Sequence, residues 1–312
     1  MVLTDYSTEY DEDIKKLDPE IYREIKSHKD VIPDSVCVAL NNGVFSGVGM
    51  LVGSPAFMLL SKNSEKSSDE EHAAQSELPR DDKEYYLDGR FKSVPGSENE
   101  VGTSFYILRD LKQSFKMLQN EYKDKGLVLR LFCNGTDLAY MEFLMVNEFS
   151  ASGVMPVFSL NLSLMKKMRM CAGLEGGTVV SLKKKPELYK EYLKSYKASF
   201  KEEESTNALS YVLKSDKSDV FCLEKNGIVV AAASIRILSE ERVLLENVFC
   251  IKKYRNKGIA SCLLGYVTEY LKKEGYKRCD VIVEGHNHPA VKLYFKNGFE
   301  ISGSIIVMKY SL

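Results

Sequence analysis

The stretch that decides the fold runs Leu244-Leu245-Glu246-Asn247-Val248-Phe249-Cys250-Ile251, then Lys252-Lys253-Tyr254, then Arg255-Asn256-Lys257-Gly258-Ile259-Ala260-Ser261. The first part is rich in β-favouring apolar residues and reads as a strand. From about Gly258 to Lys273 the apolar residues recur at helical spacing until Gly275 stops them, so a helix follows the turn. Small residues at such a turn let backbone N–H groups approach an anion, and the helix start adds unpaired donors and the positive end of its dipole. Arg255-x-x-Gly258-x-Ala260 therefore reads as a phosphate cradle. A lone glycine at a helix start is commonly just a turn, so this reading needs company elsewhere in the chain.

Working outward, Pro186 opens an amphipathic helix with Leu188, Tyr189, Tyr192, Leu193, Tyr196 and Phe200 at spacings of three and four. A hairpin follows: an apolar run from Val220, the turn Asn226-Gly227, and a strand from Ile228 to Leu238, since Asn-Gly tolerates the positive φ that such turns need. The strand Arg242 to Ile251 comes next. Beyond the Gly258–Lys273 helix lie a strand, Arg278 to Val283, a short helix, Pro289 to Lys296, and a last strand, Ile301 to Tyr310. The order α-β-β-β-α-β-α-β sets helices against a mixed sheet.

The company is Asn287-His288-Pro289-Ala290-Val291-Lys292-Leu293-Tyr294-Phe295-Lys296-Asn297-Gly298-Phe299. With both stretches in this order, residues 217–312 resemble the GNAT superfamily of acyl-CoA-dependent N-acetyltransferases. Its phosphate loop reads Arg/Gln-x-x-Gly-x-Gly/Ala, and its later element reads Asn-x-x-Ala-x-x-Leu-Tyr-x-x-x-Gly-Phe. The resemblance implies an α/β (α+β) fold, a mixed and mostly antiparallel sheet flanked by helices, with acetyl-CoA as cosubstrate and an amine as acceptor. It implies that the backbone of Val248, Phe249 and Cys250 pairs with the pantetheine arm, and that Arg255, Asn256, Lys257, Gly258, Ile259, Ala260 and Ser261 wrap the pyrophosphate. Asn287 would contact the pantetheine or thioester, and Tyr294 would be the general acid that protonates the departing thiolate; the competing reading of Tyr294 is a core aromatic among Leu293, Phe295 and Phe299. Glu246 is similar in position to the general base of histone-type members, and strict alternation sets it on the face of Val248 and Cys250. Its competing readings are a solvated edge glutamate or an ion-pair partner of Arg242. Glu284, His286 and His288 stand in reserve as bases; two histidines without a third ligand do not make a metal site, so no metal is expected.

The first half repeats the pattern. Gly43 in Asn42-Gly43 and Gly227 in Asn226-Gly227 lie 184 residues apart, with Val36 then matching Val220. Phe149-Ser150-Ala151-Ser152-Gly153 matches Phe299-Glu300-Ile301-Ser302-Gly303 at an offset of 150. A helix from Ser104 to Lys125 corresponds to the Gly258–Lys273 helix, and a polar insert, 61–84, accounts for the changing offset. The expectation is two tandem GNAT-like domains: residues 1–170, degenerate, and residues 177–312, with the seam at Met170 to Gly177. In the first half Asn99-x-x-Gly102-x-Ser104 stands for the phosphate turn, with Glu98 and Glu100 beside it, and Leu144 stands for Tyr294. Both changes point to a retired cofactor site there.

Composition bounds the rest. The 312 residues suit two domains, and 43 basic against 44 acidic side chains give a charge of -1, which favours neither nucleic acid nor an anionic membrane as partner. Seven cysteines without a CxxC pair, mostly in apolar stretches, argue against a disulfide framework and fit a reducing, cytoplasmic setting. The N-terminus lacks the apolar segment of a secretory signal, and the apolar run Val44 to Leu60 is broken by Gly47, Gly49, Gly53 and Pro55. The expected function is acetyl transfer from acetyl-CoA to an amine of a small molecule, peptide or protein. The alternative is a non-catalytic CoA-binding sensor or assembly module. The two halves would form a pseudo-dimer within one chain, which is compatible with a monomer; the sequence does not fix the oligomeric state.

Overall fold

The computed structural model describes residues 1–27, 31–32, 35–53, 85–97, 99–122, 126–165, 177–200 and 215–310. The insert 61–84, the seam residues 170–176 and Glu98 lie outside them. The chain forms two compact units: Met1–Phe132 with Glu142–Ser152 and Val307–Leu312, and Cys133–Met141 with Gly153–Ile306.

In the first unit, strands β1 (Val2–Asp5), β2 (Cys37–Asn41), β3 (Val44–Gly53) and β4 (Tyr85–Ser93) pair antiparallel in that order, and β5 (Leu127–Asn134) pairs parallel with β4. Helices α1 (Asp11–Leu17) and α2 (Pro19–Ser27) bury Ile14, Ile21 and Ile25 against Val38, Val48 and Met50. These two helices and β1 are not among the elements expected from the sequence, although Ile14, Leu17, Ile21 and Ile25 stand at helical spacing. The helix α3 (Glu100–Glu121) packs close on β3: a Cβ at Gly49 would stand 2.3 Å from Ile107, so only glycine admits the helix there.

In the second unit the strand order is β6 (Ser150–Asn161), β11 (Arg278–Ile282), β10 (Arg242–Cys250), β9 (Ile228–Ile237), β8 (Ser218–Lys225), β7 (Gly177–Ser181), antiparallel except for the parallel pair β10–β11. That pair needs a crossover, which α6 (Ile259–Lys273) supplies. On one face α6 and α7 (His288–Lys296) bury Leu263, Leu264, Val267 and Tyr294 against Val243, Leu245, Val281 and Phe158. On the other, α5 (Tyr189–Phe200) buries Tyr192 and Tyr196 against Val220, Cys222, Ala232 and Phe249.

The duplication is visible in detail. Asn42 and Gly43 have φ of 51° and 78°; Asn226 and Gly227 have 52° and 77°. Each hairpin carries a register shift at the same place, Ala39/Leu40 and Leu223/Glu224. Helix α4 (Leu138–Val146) and α7 start and end 150 residues apart, as do Gly135 and Gly285. Within the second unit these two glycines make equivalent backbone bonds: Gly135 N donates to Ser304 O at 2.8 Å, and Gly285 N to Val154 O at 3.1 Å. The last strand, β12 (Glu300–Tyr310), is thus met by the end of β5, while β6 lies on β11. The closing strand of the first repeat therefore serves the second unit, which neither motif nor spacing revealed.

Five cysteines, Cys37, Cys133, Cys222, Cys250 and Cys279, are free thiols. Cys262 is disulfide-bonded, so the expectation of cysteines buried as apolar thiols does not extend to it. Among the described residues no helix is long and apolar enough to cross a membrane.

Candidate active site

The site is built where β10 leaves β11. Their ladder covers Arg242↔Arg278 through Leu245↔Val281. Beyond it β10 continues to Cys250, still held by β9 as far as Cys250↔Ala231. The edge of β10 turned away from β9 therefore lies outside that ladder from Glu246 onward. This is the place where an extended ligand arm can add as a strand. One acceptor there is committed: Arg255 Nε donates to Cys250 O at 2.8 Å, fastening the following turn to the strand end.

A bulge interrupts this edge. Glu246 pairs with Ser234 and Phe249 with Ala232, so Asn247 and Val248 together face a single β9 residue, and Asn247 takes φ 49°. The extra residue reverses the alternation. Val248 and Cys250 pack on the core beneath α6 and α7, whereas Phe249 packs on Tyr192, Tyr196 and Phe200 of α5. Glu246 stands on the α5 face with Phe249, not with Val248 and Cys250 as strict alternation had it. Its partner also differs: Arg236 approaches Glu246 Oε1 through Nη2 at 2.9 Å and Nε at 3.1 Å, while Arg242 binds Asp280. The sequence carried no sign of the bulge beyond Asn247, a residue that tolerates left-handed φ.

At the turn, Gly258 caps α6 at φ 77° and Asn256 also has positive φ, 60°. Two left-handed residues curl the segment Arg255–Gly258 into the first turn of α6, where Ile259, Ala260 and Ser261 carry N–H groups without intrahelical acceptors. Lys253 and Lys257 lie over the Tyr254 ring at 6.0 and 5.7 Å, so the turn is cationic and suits a pyrophosphate. Asn297, read only as part of a helix end, holds this turn: its Nδ2 donates to Ser261 Oγ at 3.1 Å and to Leu293 O at 2.6 Å.

Asn287 caps α7, its Oδ1 accepting from Ala290 N at 3.3 Å. Tyr294 is 3% exposed, its ring against Phe158 and Phe299 at 5.9 and 5.3 Å. Burial, with the Cys279 thiol nearby, pushes its phenol well above the ordinary value. A phenol already starts ~1.5 pH units weaker as an acid than a thiol, about 2 kcal/mol. Complete proton transfer to a thiolate is therefore uphill, and the chemistry open to Tyr294 is a hydrogen bond to a departing sulfur. His286 pairs with Glu284 at 3.1 Å on the surface, where both are exposed; no metal cluster exists among the described residues.

Residues 185–299 match the model of the acetyltransferase (GNAT) family. No curated protein sequence matches the chain. Solved structures share its fold: a GCN5-related N-acetyltransferase from Sphaerobacter thermophilus, 10% identical with TM-score 0.63, covers 99% of this chain and 94% of that one. A tandem GNAT protein from the clavulanic acid biosynthesis pathway is 14% identical with TM-score 0.62, covering 88% of this chain and 81% of that one. A GNAT-family acetyltransferase from Colwellia psychrerythraea is 13% identical with TM-score 0.59, both chains being covered entirely, at 100%. The fold is thus a mixed α/β one with GNAT-like halves in tandem. The family match falls on the strand, turn and helix described above, and residues 185–299 are similar to the acetyltransferase (GNAT) family.

Proposed function

We propose that the protein is an N-acetyltransferase that moves an acetyl group from acetyl-CoA to an amine. The observation that carries this reading is the open edge of β10 running straight into a left-handed glycine turn at the start of α6. The edge suits the pantetheine amides and the turn suits the pyrophosphate, so the thioester comes to lie toward Glu246, where β10 and β11 part. An uncharged amine attacks the thioester carbonyl, the C–S bond breaks, and the amide forms. The proton lost by nitrogen passes to Glu246 directly or through water. The leaving sulfur takes a hydrogen bond from Tyr294 as the C–S bond breaks and departs as the thiolate, the phenol keeping its proton.

The test is calorimetry with acetyl-CoA followed by thiol release against a panel of amines. Micromolar binding with amine-dependent CoA release supports the reading. Binding without release from any amine leaves the CoA-binding module instead.

A further inference from the structure

The α5-facing side of the second unit carries a charged cluster that acetyl-CoA chemistry does not use. Before the bulge, Arg242, Leu244 and Glu246 alternate onto this face. The register puts Ser159, Asp280, Leu244 and Arg236 in one row across β6, β11, β10 and β9. Asp280 is 1% exposed, yet Arg242 and Arg278, which both bind it, are 47% and 45% exposed. Arg278 Nη2 also donates to Ser159 and Ser302 at 2.7 and 3.2 Å. Burial would raise the Asp280 carboxyl, but Ser159, Arg278 and Arg242 hold it below the usual range, so it is charged.

Two guanidiniums on one carboxylate leave one positive charge over. The neighbouring charges cancel in pairs, Lys277 with Glu241 and Arg236 with Glu246. A buried carboxylate that pins two half-exposed guanidiniums is a way to hold an arginine fork ready for an anion. Ser234 adds a second signal: its Oγ is buried, with the residue 2% exposed, and has no hydrogen-bond partner. It pairs in register with Glu246 on this same face.

Resting on the proposed acetyl transfer, we infer that the acceptor is an amine that also bears a carboxylate or similar anion. Its nitrogen sits by Glu246 and Ser234, and its anionic end sits on Arg242 and Arg278. Rows two to four residues apart along a strand separate the two ends by roughly 7–13 Å, the length of a tripeptide.

The experiment is calorimetry with triglycine and with triglycinamide, each against the full chain saturated with CoA. Triglycine should bind at least tenfold more tightly, and Arg242→Gln, which leaves Arg278 on Asp280, should bring it to the affinity of the amide. Equal affinities for acid and amide overturn the inference, as does a preference that survives Arg242→Gln. Preferential binding of triglycine without any acetylation supports the anion site while sinking the acetyl-transfer reading.

Discussion

In β10 the ladder with β9 is broken by a bulge at Asn247, whereas β4 runs against β3 without one from Gly47↔Ser93 to Gly53↔Leu87. Both strands part from their parallel neighbours after four residue pairs, at Leu245↔Val281 and at Asp88↔Arg130. The turns differ more. Gly258 stands outside α6 in left-handed geometry, but Gly102 lies inside α3, and Asn99 folds its Oδ1 to 2.1 Å from where a Gly102 Cβ would be. In the same turn Gly96 N donates to the Glu100 carboxylate at 2.7 Å. The first half still offers backbone donors to an anion, but its own glutamate takes one of them. Retaining a glycine is not retaining a site: the donors must also lack an internal partner.

The largest expected effect separates the halves physically. A fragment of residues 177–312 lacks β6, and with it Phe158, Leu160 and Leu162 of the second unit's core. Removing a single buried Phe side chain costs about 3–5 kcal/mol against a typical total of 5–15. The fragment should show no cooperative melt by circular dichroism. A sharp transition with full acetyl-CoA affinity would show that β6 is dispensable and the repeats are independent.

Next comes chemistry. Tyr294→Phe should keep acetyl-CoA affinity and lose about 10²-fold in kcat, within the range for a positioned proton donor. Unchanged turnover would make Tyr294 the equal of Leu144, a packing residue buried at the matching place. Glu246→Gln should remove the low-pH limb of the pH–rate profile; a profile that keeps it points to another base.

At the two turns, Gly258→Val places a β-branched residue at positive φ and should weaken acetyl-CoA binding at least tenfold, about 1.4 kcal/mol. Gly102→Ala strains α3 but should leave that affinity within about twofold by the tenfold-per-1.4 kcal/mol scale. Equal effects at both turns would mean that the first half also binds cofactor.

The smallest effect concerns Asp280. A carboxyl held below its usual range stabilises the fold above the unfolded value, near ~3.9, and loses that contribution as pH falls through the folded value. Asp280→Asn should therefore lower the denaturation midpoint at pH 7, where the parent carboxylate is charged. Its denaturation midpoint should start to approach that of the parent below about pH 4 and meet it only once the pH has fallen through the folded-state value. A constant gap across pH would assign the loss to packing instead.

Local pattern explains what could be read. The hairpin at Asn226-Gly227, the helix after Gly258 and the helix after Asn287 all appear within a residue or so of their expected bounds. Each depends on a local signal, a positive-φ turn or a cap followed by an apolar stripe. The misreading of Glu246 has a local cause as well: alternation holds only while the register does, and one inserted residue reverses it.

The amino-acid sequence by itself determined the class of fold, the duplication and the cationic turn, because turn chemistry and hydrophobic period act over a few residues. Only the tertiary structure decided which face Glu246 occupies, which arginine it meets, and that β6 completes the second unit. Those depend on pairings between residues far apart in sequence, such as Val281 with Phe158. Their partners are chosen by burial and register across the whole sheet.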